Sequence, residues 1–440
     1  MTLLANRNQH GGSGNQYSAI WGYRAPNGRE YAILGCQTGT AFIDVTDSSN
    51  IVEVAYKTGV SSGWREMKVF SHYAYVVSEG TNSRLQIFDL QYLPDSVRLV
   101  NTYSYTNYTK THTISQSGPY LYLNGGNVTQ GMSNSGGVTV LDLTNPVLPV
   151  KRGSWGEQYV HDCRIVNDTI YACNIYDAPQ GTGSIYVISA TNKDNLTNVS
   201  SWVNNPVPGP HNIALTGDRR YALTTDEIPN TSPRVLKVWD IQNLSNVTLV
   251  TTWQPTNILT SIVHNVEIYG NYALIAHYRA GVRLVDISNP AVPNEIAWYD
   301  TYPSSNSNSY SGCWGVFMLP SGKIIASDMQ TGLYVLKTTI PLVGINEPGN
   351  NVPAKFTLNQ NYPNPFNPST SIEYSLPKGS HVTLRVFDAV GREVGILVDE
   401  YKNAGSYKVS YDAGRLSSGV YFYSLSSDGF RETKKMTLVK

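Results

Sequence analysis

The chain has 440 residues, of which only 15% are charged, with 32 basic and 32 acidic side chains and a formal net charge of zero. That balance argues against nucleic-acid binding, which usually needs a basic patch, and no apolar run reaches the roughly 20 residues of a membrane-spanning helix. The 31 tyrosines and the abundant Asn, Ser and Thr give the texture of an extracellular chain, long enough for two or three domains.

The first segment, TLLANRN (2–8), reads as a strand with nothing before it to pair with. From residue 31 a motif returns seven times, a Tyr- or Ile-led strand, a polar loop, then an apolar strand that usually closes on Asp. The copies span 31–47, 73–90, 120–146, 170–189, 221–241, 272–290 and 323–338, spaced about 42 to 51 residues apart. Each is flanked by a preceding strand, such as GWREMKVF (63–70), HDCRIV (161–166) or HNVEIY (264–269), and a following one, such as IVEVAYK (51–57) or NEIAWYD (294–300). Alternating or short apolar runs between Gly, Asn, Asp and Pro breaks predict strands and hairpin turns. Four strands per repeat at this spacing predict the blades of a β-propeller, with strands a to d in chain order. The seventh repeat lacks a clear d strand, so residues 2–8 are expected to supply it and close the ring, leaving no open sheet edge. The Asp that ends strand c (Asp44, Asp89, Asp142, Asp240, Asp286) is read as a turn residue accepting backbone N–H bonds.

In a propeller the a strands line the central channel, and the starts of the a strands converge with the ends of the b strands at one mouth. The a-strand starts are Trp21, Trp64, Arg65, Glu66, His112, His161, Asp162, His211, Asn212, His264, Asn265 and Trp314. The b-strand ends are Glu79, Asn124, Asn174, Asp226, Glu227, His277 and Asp328. Four of the eight histidines hold one slot in four consecutive blades, and His277 is expected on the same face. The candidate ligand set is Trp64, Arg65, Glu66, His112, His161, Asp162, His211, His264, Asp226, His277 and Asp328. Imidazoles and carboxylates suit a divalent metal, and Trp and Tyr faces beside polar groups suit sugars. Repeat symmetry favours a structural role, each His bonding the backbone of the next blade. No GxSxG or HExxH occurs, no catalytic residue is assigned, and no cofactor is implied beyond that metal option.

The four cysteines offer two candidate disulfides. Cys163 and Cys173 flank the turn at Asn167 and Asp168, where a three-residue turn would set them opposite each other. Cys36 and Cys313 lie in the blades that meet at the seam. The alternative is four buried free thiols. A zinc site built on cysteine is disfavoured because no CxxC spacing occurs.

After residue 339 the texture changes. Residues 340–355 form a Gly/Pro/Asn linker, and 356–440 hold seven short strands, the pattern of a small Ig-like β-sandwich. The fold class is thus all-β, a seven-bladed propeller over 1–339 and a sandwich over 356–440. The motifs NYPNPFNPSTSIEYSLP (361–377), VFDAVGREV (386–394), LSSGVYFYSL (416–425) and KKMTLVK (434–440) resemble the C-terminal sorting domain of type IX secretion substrates, type A. The resemblance implies export across the outer membrane in the Bacteroidetes–Chlorobi–Ignavibacteria group, the type IX machinery as a partner, and a final location at the cell surface or outside it. Residues 17–47, 62–80 and 281–290 resemble the LVIVD-repeat surface proteins of the choice-of-anchor B group. That resemblance covers roughly 1–338 and implies fold and location without a chemistry.

No signal peptide precedes the closing strand, so the export signal is expected to have been removed or to have been lost from the gene as read. Eight Asn-X-Ser/Thr triplets (Asn107, Asn127, Asn167, Asn195, Asn198, Asn230, Asn243, Asn246) and two Asp-Ser/Thr-aliphatic triplets at Asp95 and Asp168 are weak glycosylation signals. The favoured function is a non-enzymatic surface protein for binding, adhesion or self-assembly, with surface glycans or further copies of itself as partners. Long b–c loops (124–137, 174–184) would carry its contacts, and a disc joined to a sandwich offers two unlike surfaces for head-to-tail polymers. The alternative is a secreted glycan- or phosphoester-active enzyme using the His/Asp mouth.

Overall fold

The computed structural model describes residues 1–129, 131–176, 183–206, 209–228, 234–256, 258, 260–305, 307–340, 356–376, 380–402 and 405–440. They are all-β and fall in two compact units, Met1–Gly349 and Asn350–Lys440. Apart from Ile340, the expected linker 340–355 lies outside the described residues, as does 177–182 of the second long loop.

The first unit contains seven four-stranded antiparallel sheets, six of them built from consecutive strands. The seventh joins Cys313–Met318, Ile324–Asp328 and Gly332–Lys337 to the N-terminal strand Thr2–Arg7. Thr2 pairs with Lys337 and Arg7 with Leu333, so the chain start supplies the missing d strand. Blade 7 packs on blade 1 through the Trp21 and Phe317 rings, 4.8 Å apart. Glu30 reinforces that junction, accepting from the Ser321 amide and hydroxyl and pairing with Lys323 at 3.2 Å. The ring is closed.

Strands b and c are buried almost throughout, as in Glu30–Cys36 and Gly39–Asp44, because each blade is covered on both faces by its neighbours. That is why they read as near-continuous apolar runs, whereas the outer d strand Val52–Thr58 is half exposed. The five Asp residues ending strand c each accept the amide two residues on, from Thr46, Gln91, Thr144, Gln242 and Ser288. The side-chain oxygen takes an N–H that the turn leaves over.

The disulfide expectation is corrected: all four cysteines are free and buried. The blade 4 hairpin turns on two residues, Asn167 and Asp168, both left-handed with φ of 47° and 58°. Cys163 therefore faces Ala172, and Cys173 faces Asp162, one residue out of step and on opposite sides of the sheet. The Cys163 thiol donates to Asn124 Oδ1 at 3.2 Å, and at the seam the Cys36 and Cys313 thiols approach the carbonyls of Leu34 and Gly315. Burial pushes the Cys36 thiol up to about 12 and raises the other three as well, so none is a ready nucleophile.

The second unit has two sheets. Strands Thr357–Leu358, Ser369–Leu376 and Gly405–Asp412 form one. Strands Glu393–Lys402, Ser380–Phe387, Gly419–Ser427 and Phe430–Leu438 form the other. Alternate residues of each, among them Ile372, Tyr374, Val382, Leu384, Tyr423 and Met436, meet in one core. This is the expected sandwich.

Candidate functional site

All seven a strands contribute to a narrow axial cavity of about 50 Å³, with residues such as Ile20, Glu66, Ser115, Asp162, Asn212, Glu267 and Val316 on its wall. Two ion pairs occupy the wall: Lys68–Glu66 at 2.7 Å, the ammonium 4.1 Å from the centre of the Trp21 ring, and Arg164–Glu267 at 3.0 Å. Trp21 thus lies deeper than the mouth. Asp162 accepts from Asn212 Nδ2 at 2.6 Å and from the Cys163 amide at 2.7 Å. Burial raises the pKa of Glu66 against the pull of Lys68.

Above this wall Trp64, Glu66, His112, Asp162, His211 and His264 line one cavity, together with Trp314. The histidine slot becomes an arc of rings. His112 and His161 have centroids 4.1 Å apart, His161 and His211 4.4 Å, His211 and His264 4.2 Å, and His264 and Trp314 4.9 Å. Part of the structural expectation is met: His211 Nδ1 lies 3.0 Å from the His264 carbonyl and His264 Nδ1 2.5 Å from the Trp314 carbonyl, each in the next blade. The other face of the arc holds a carboxylate. Glu227 sits 3.9 Å from His161 Nε2, 3.6 Å from His211 Nε2 and 3.5 Å from His264 Nε2, and accepts the Tyr278 hydroxyl at 2.6 Å. At the far end His112 Nε2 is 2.8 Å from His161 Nε2, and His112 Nδ1 is 3.0 Å from Glu79.

The rings differ electrostatically. Burial opposes charge on His112, but the bond it donates to Glu79, with Glu227 and Glu66 nearby, outweighs it and raises the pKa. Burial and neighbouring imidazoles hold His161 well below its ordinary value. Burial and His211 do the same to His264, against the Trp314 carbonyl.

Around this floor stands an aromatic rim. Trp64 is 48% exposed and meets Trp314 edge-on at 6.5 Å. Tyr310 is 40% exposed, 5.7 Å from Tyr278, which lies 4.5 Å from His264. Tyr159 stands 6.4 Å from His161. Tyr176, 62% exposed, is close enough to Tyr159 and Tyr310 to bear on their titration.

Arg65 also lines this cavity, but its guanidinium is buried and donates to the carbonyls of Cys36 and Val60, tying blade 2 to blade 1. Three of the expected mouth residues are engaged elsewhere. Asp226 forms a fully buried ion pair with Lys237 at 3.0 Å and accepts from Asn204. His277 points into its blade, 3.3 Å from Ser261 Oγ and edge-on to Trp253. Asp328 accepts from the Thr301 hydroxyl and the amides of Gln330 and Thr331. In each adjacent pair, Asp226–Glu227 and His277–Tyr278, alternation lets only the second residue reach the mouth. The sequence held a signal for this in Lys237, a charge inside an apolar strand. Lys237 pairs with Thr224, and Asp226, two residues on, shares that face.

Residues 360–439 match the secretion system C-terminal sorting domain, and residues 262–301, which span blade 6, match the LVIVD repeat. The C-terminal unit is a type IX sorting domain. The protein that carries this sorting domain is therefore exported by type IX secretion to the cell surface. Among the described residues no helix is long and apolar enough to cross a membrane. No curated protein matches the sequence.

Solved structures resemble it at low identity. A candidate 6-phosphogluconolactonase from Bacteroides uniformis is 11% identical, with a TM-score of 0.54 over 76% of this chain and 95% of that one. A protein of unknown function from Desulfotomaculum acetoxidans is 13% identical, with a TM-score of 0.52 over 73% of this chain and 97% of its own. At such identity both show the propeller fold alone. PorZ, a surface component of the type IX secretion system of Porphyromonas gingivalis, is 12% identical with a TM-score of 0.45. That match covers all of this chain but only 59% of PorZ, and it is too distant to argue from.

Proposed function

We propose that this exported propeller is a non-enzymatic binding protein that takes a carbohydrate at the mouth of its channel. The observation that carries the reading is the exposed indole of Trp64 beside Trp314, above a floor of imidazoles and carboxylates. Aromatic faces pack against the C–H faces of sugar rings, while a few fixed polar groups take the hydroxyls, and rings that lose little freedom on binding suit that task. Display outside the cell would turn such a site to adhesion.

Hydrolysis is less well supported. A glycosidase needs two carboxyl groups free to flank the scissile bond. Here Glu66 is paired with Lys68, Asp162 with Asn212, Glu227 with Tyr278, and Glu79 with His112. The test is calorimetric titration of the full chain with a panel of bacterial and host oligosaccharides, with product analysis by mass spectrometry. The expected result is binding without turnover, weakened at least tenfold in Trp64→Ala. Turnover that disappears in His161→Ala or Asp162→Ala would replace this reading with the enzymatic one.

A further inference from the structure

We infer that the mouth binds a divalent transition-metal ion of the Zn²⁺ class through Nε2 of His161, His211 and His264 and the carboxylate of Glu227. The inference goes beyond the sugar reading and does not rest on it.

A carbonyl can only accept, so the bonds from His211 Nδ1 to the His264 carbonyl and from His264 Nδ1 to the Trp314 carbonyl place a proton on each Nδ1. In the neutral rings Nε2 is then a bare lone pair. Both lone pairs face the Glu227 oxygens, at 3.6 and 3.5 Å. Acceptors set against an acceptor in a buried site repel unless positive charge lies between them. One proton can serve only one of these nitrogens. A single divalent ion serves both, and the carboxylate as well.

The spacing also fits. Tetrahedral bonds of about 2.0–2.1 Å put neighbouring ligand atoms roughly 3.3–3.4 Å apart. The three Nε2 atoms stand 3.5, 3.6 and 3.9 Å from Glu227, and the donor atoms of His161, His211 and Glu227 all lie within 4.8 Å of one another. The Glu227 contacts would close with a contraction of a few tenths of an ångström, and the imidazoles of His161 and His211 with one of up to about 1.4 Å.

The supports of such a site are already built. Ligating histidines commonly anchor the other nitrogen on a carbonyl, and ligating carboxylates take a further hydrogen bond. His211, His264 and Glu227, the last through Tyr278, do so here. His161 is the adjustable member. Its Nδ1 has no hydrogen-bond partner among the described residues, and its Nε2 now meets His112, which Glu79 holds. Three imidazoles with one carboxylate and no thiolate select borderline first-row ions over Ca²⁺ or Mg²⁺.

The test uses the full chain, stripped with EDTA and titrated with ZnCl₂ by calorimetry, with native mass spectrometry for stoichiometry. One ion per chain is expected. Tyr278→Phe should weaken binding about 10- to 100-fold, and Glu227→Gln and His211→Gln by more. His72→Gln, far along the chain from this cluster, should leave it unchanged. Co²⁺ in place of Zn²⁺ should give the visible absorption of a tetrahedral site, lost in Glu227→Gln. Glu227→Gln keeps the side chain's shape, so it remains informative if His211→Gln fails to fold. Absence of stoichiometric binding, or binding unaltered in Glu227→Gln and Tyr278→Phe, would overturn the proposal.

Discussion

His277 and Tyr278 are neighbours in sequence with opposite fates. Tyr278 reaches the mouth and bonds Glu227, whereas His277 is turned into the blade with its Nδ1 near Ser261. Burial, with the nearby Arg283 charge, pushes His277 down to about 3 from an ordinary 6.5, against the hydrogen bond at its ring. Below pH 6.5 the unfolded chain takes up a proton that the folded ring refuses, so stability falls as pH drops from 6.5 towards 3. Each pH unit in that window costs about 1.4 kcal/mol at most from this one group. His277→Gln should therefore show a shallower loss of unfolding free energy than wild type between pH 6 and 4 in urea titrations at fixed ionic strength. Parallel slopes would mean that the ring is protonated in the folded state. The same alternation limited what the sequence could reveal about the site. Both members of Asp226–Glu227 and of His277–Tyr278 stand at the end of strand b, and the first of each is the one that stays inside. The histidine slot was legible because it repeats. Glu227, at the centre of the arc, was legible only as the neighbour of Asp226.

Among the elements, the strand Thr2–Arg7 has the largest consequence for its length. It occupies the outer edge of blade 7, and Asn6 adds a side-chain bond to the Leu333 carbonyl at 2.9 Å. Removing residues 1–7 would leave Gly332–Lys337 with one free edge, which favours pairing between molecules. The truncated chain should unfold at a clearly lower denaturant concentration and form concentration-dependent aggregates in light scattering. An unchanged midpoint would show that the ring does not depend on this strand. The element was readable in advance because seven b–c pairs were followed by only six d strands. The blade 4 turn was not. A two-residue and a three-residue turn across Asn167 and Asp168 look alike in sequence, yet they differ by one residue of register, and that decides whether Cys163 meets Cys173 or Ala172.

For the whole molecule, repeat spacing gave the ring and a change of texture gave the sandwich, because both follow from local patterns summed along the chain. The chemistry of the mouth depends on which side chains converge from blades about 50 residues apart, and no local pattern encodes that. What converges is an arc of imidazoles with hydrogen bonds on its outer nitrogens and a carboxylate facing its inner ones. The central claim is that this arc binds rather than merely braces. The most direct measurement is a crystal structure of the full chain grown with ZnCl₂, with anomalous data collected on both sides of the zinc edge. The account predicts a peak at the mouth, within bonding distance of Nε2 of His211 and His264 and of Glu227, with Tyr278 still bonded to the carboxylate. Zinc found only on exposed histidines such as His381, with Glu227 bonded directly to a protonated imidazole, would contradict it.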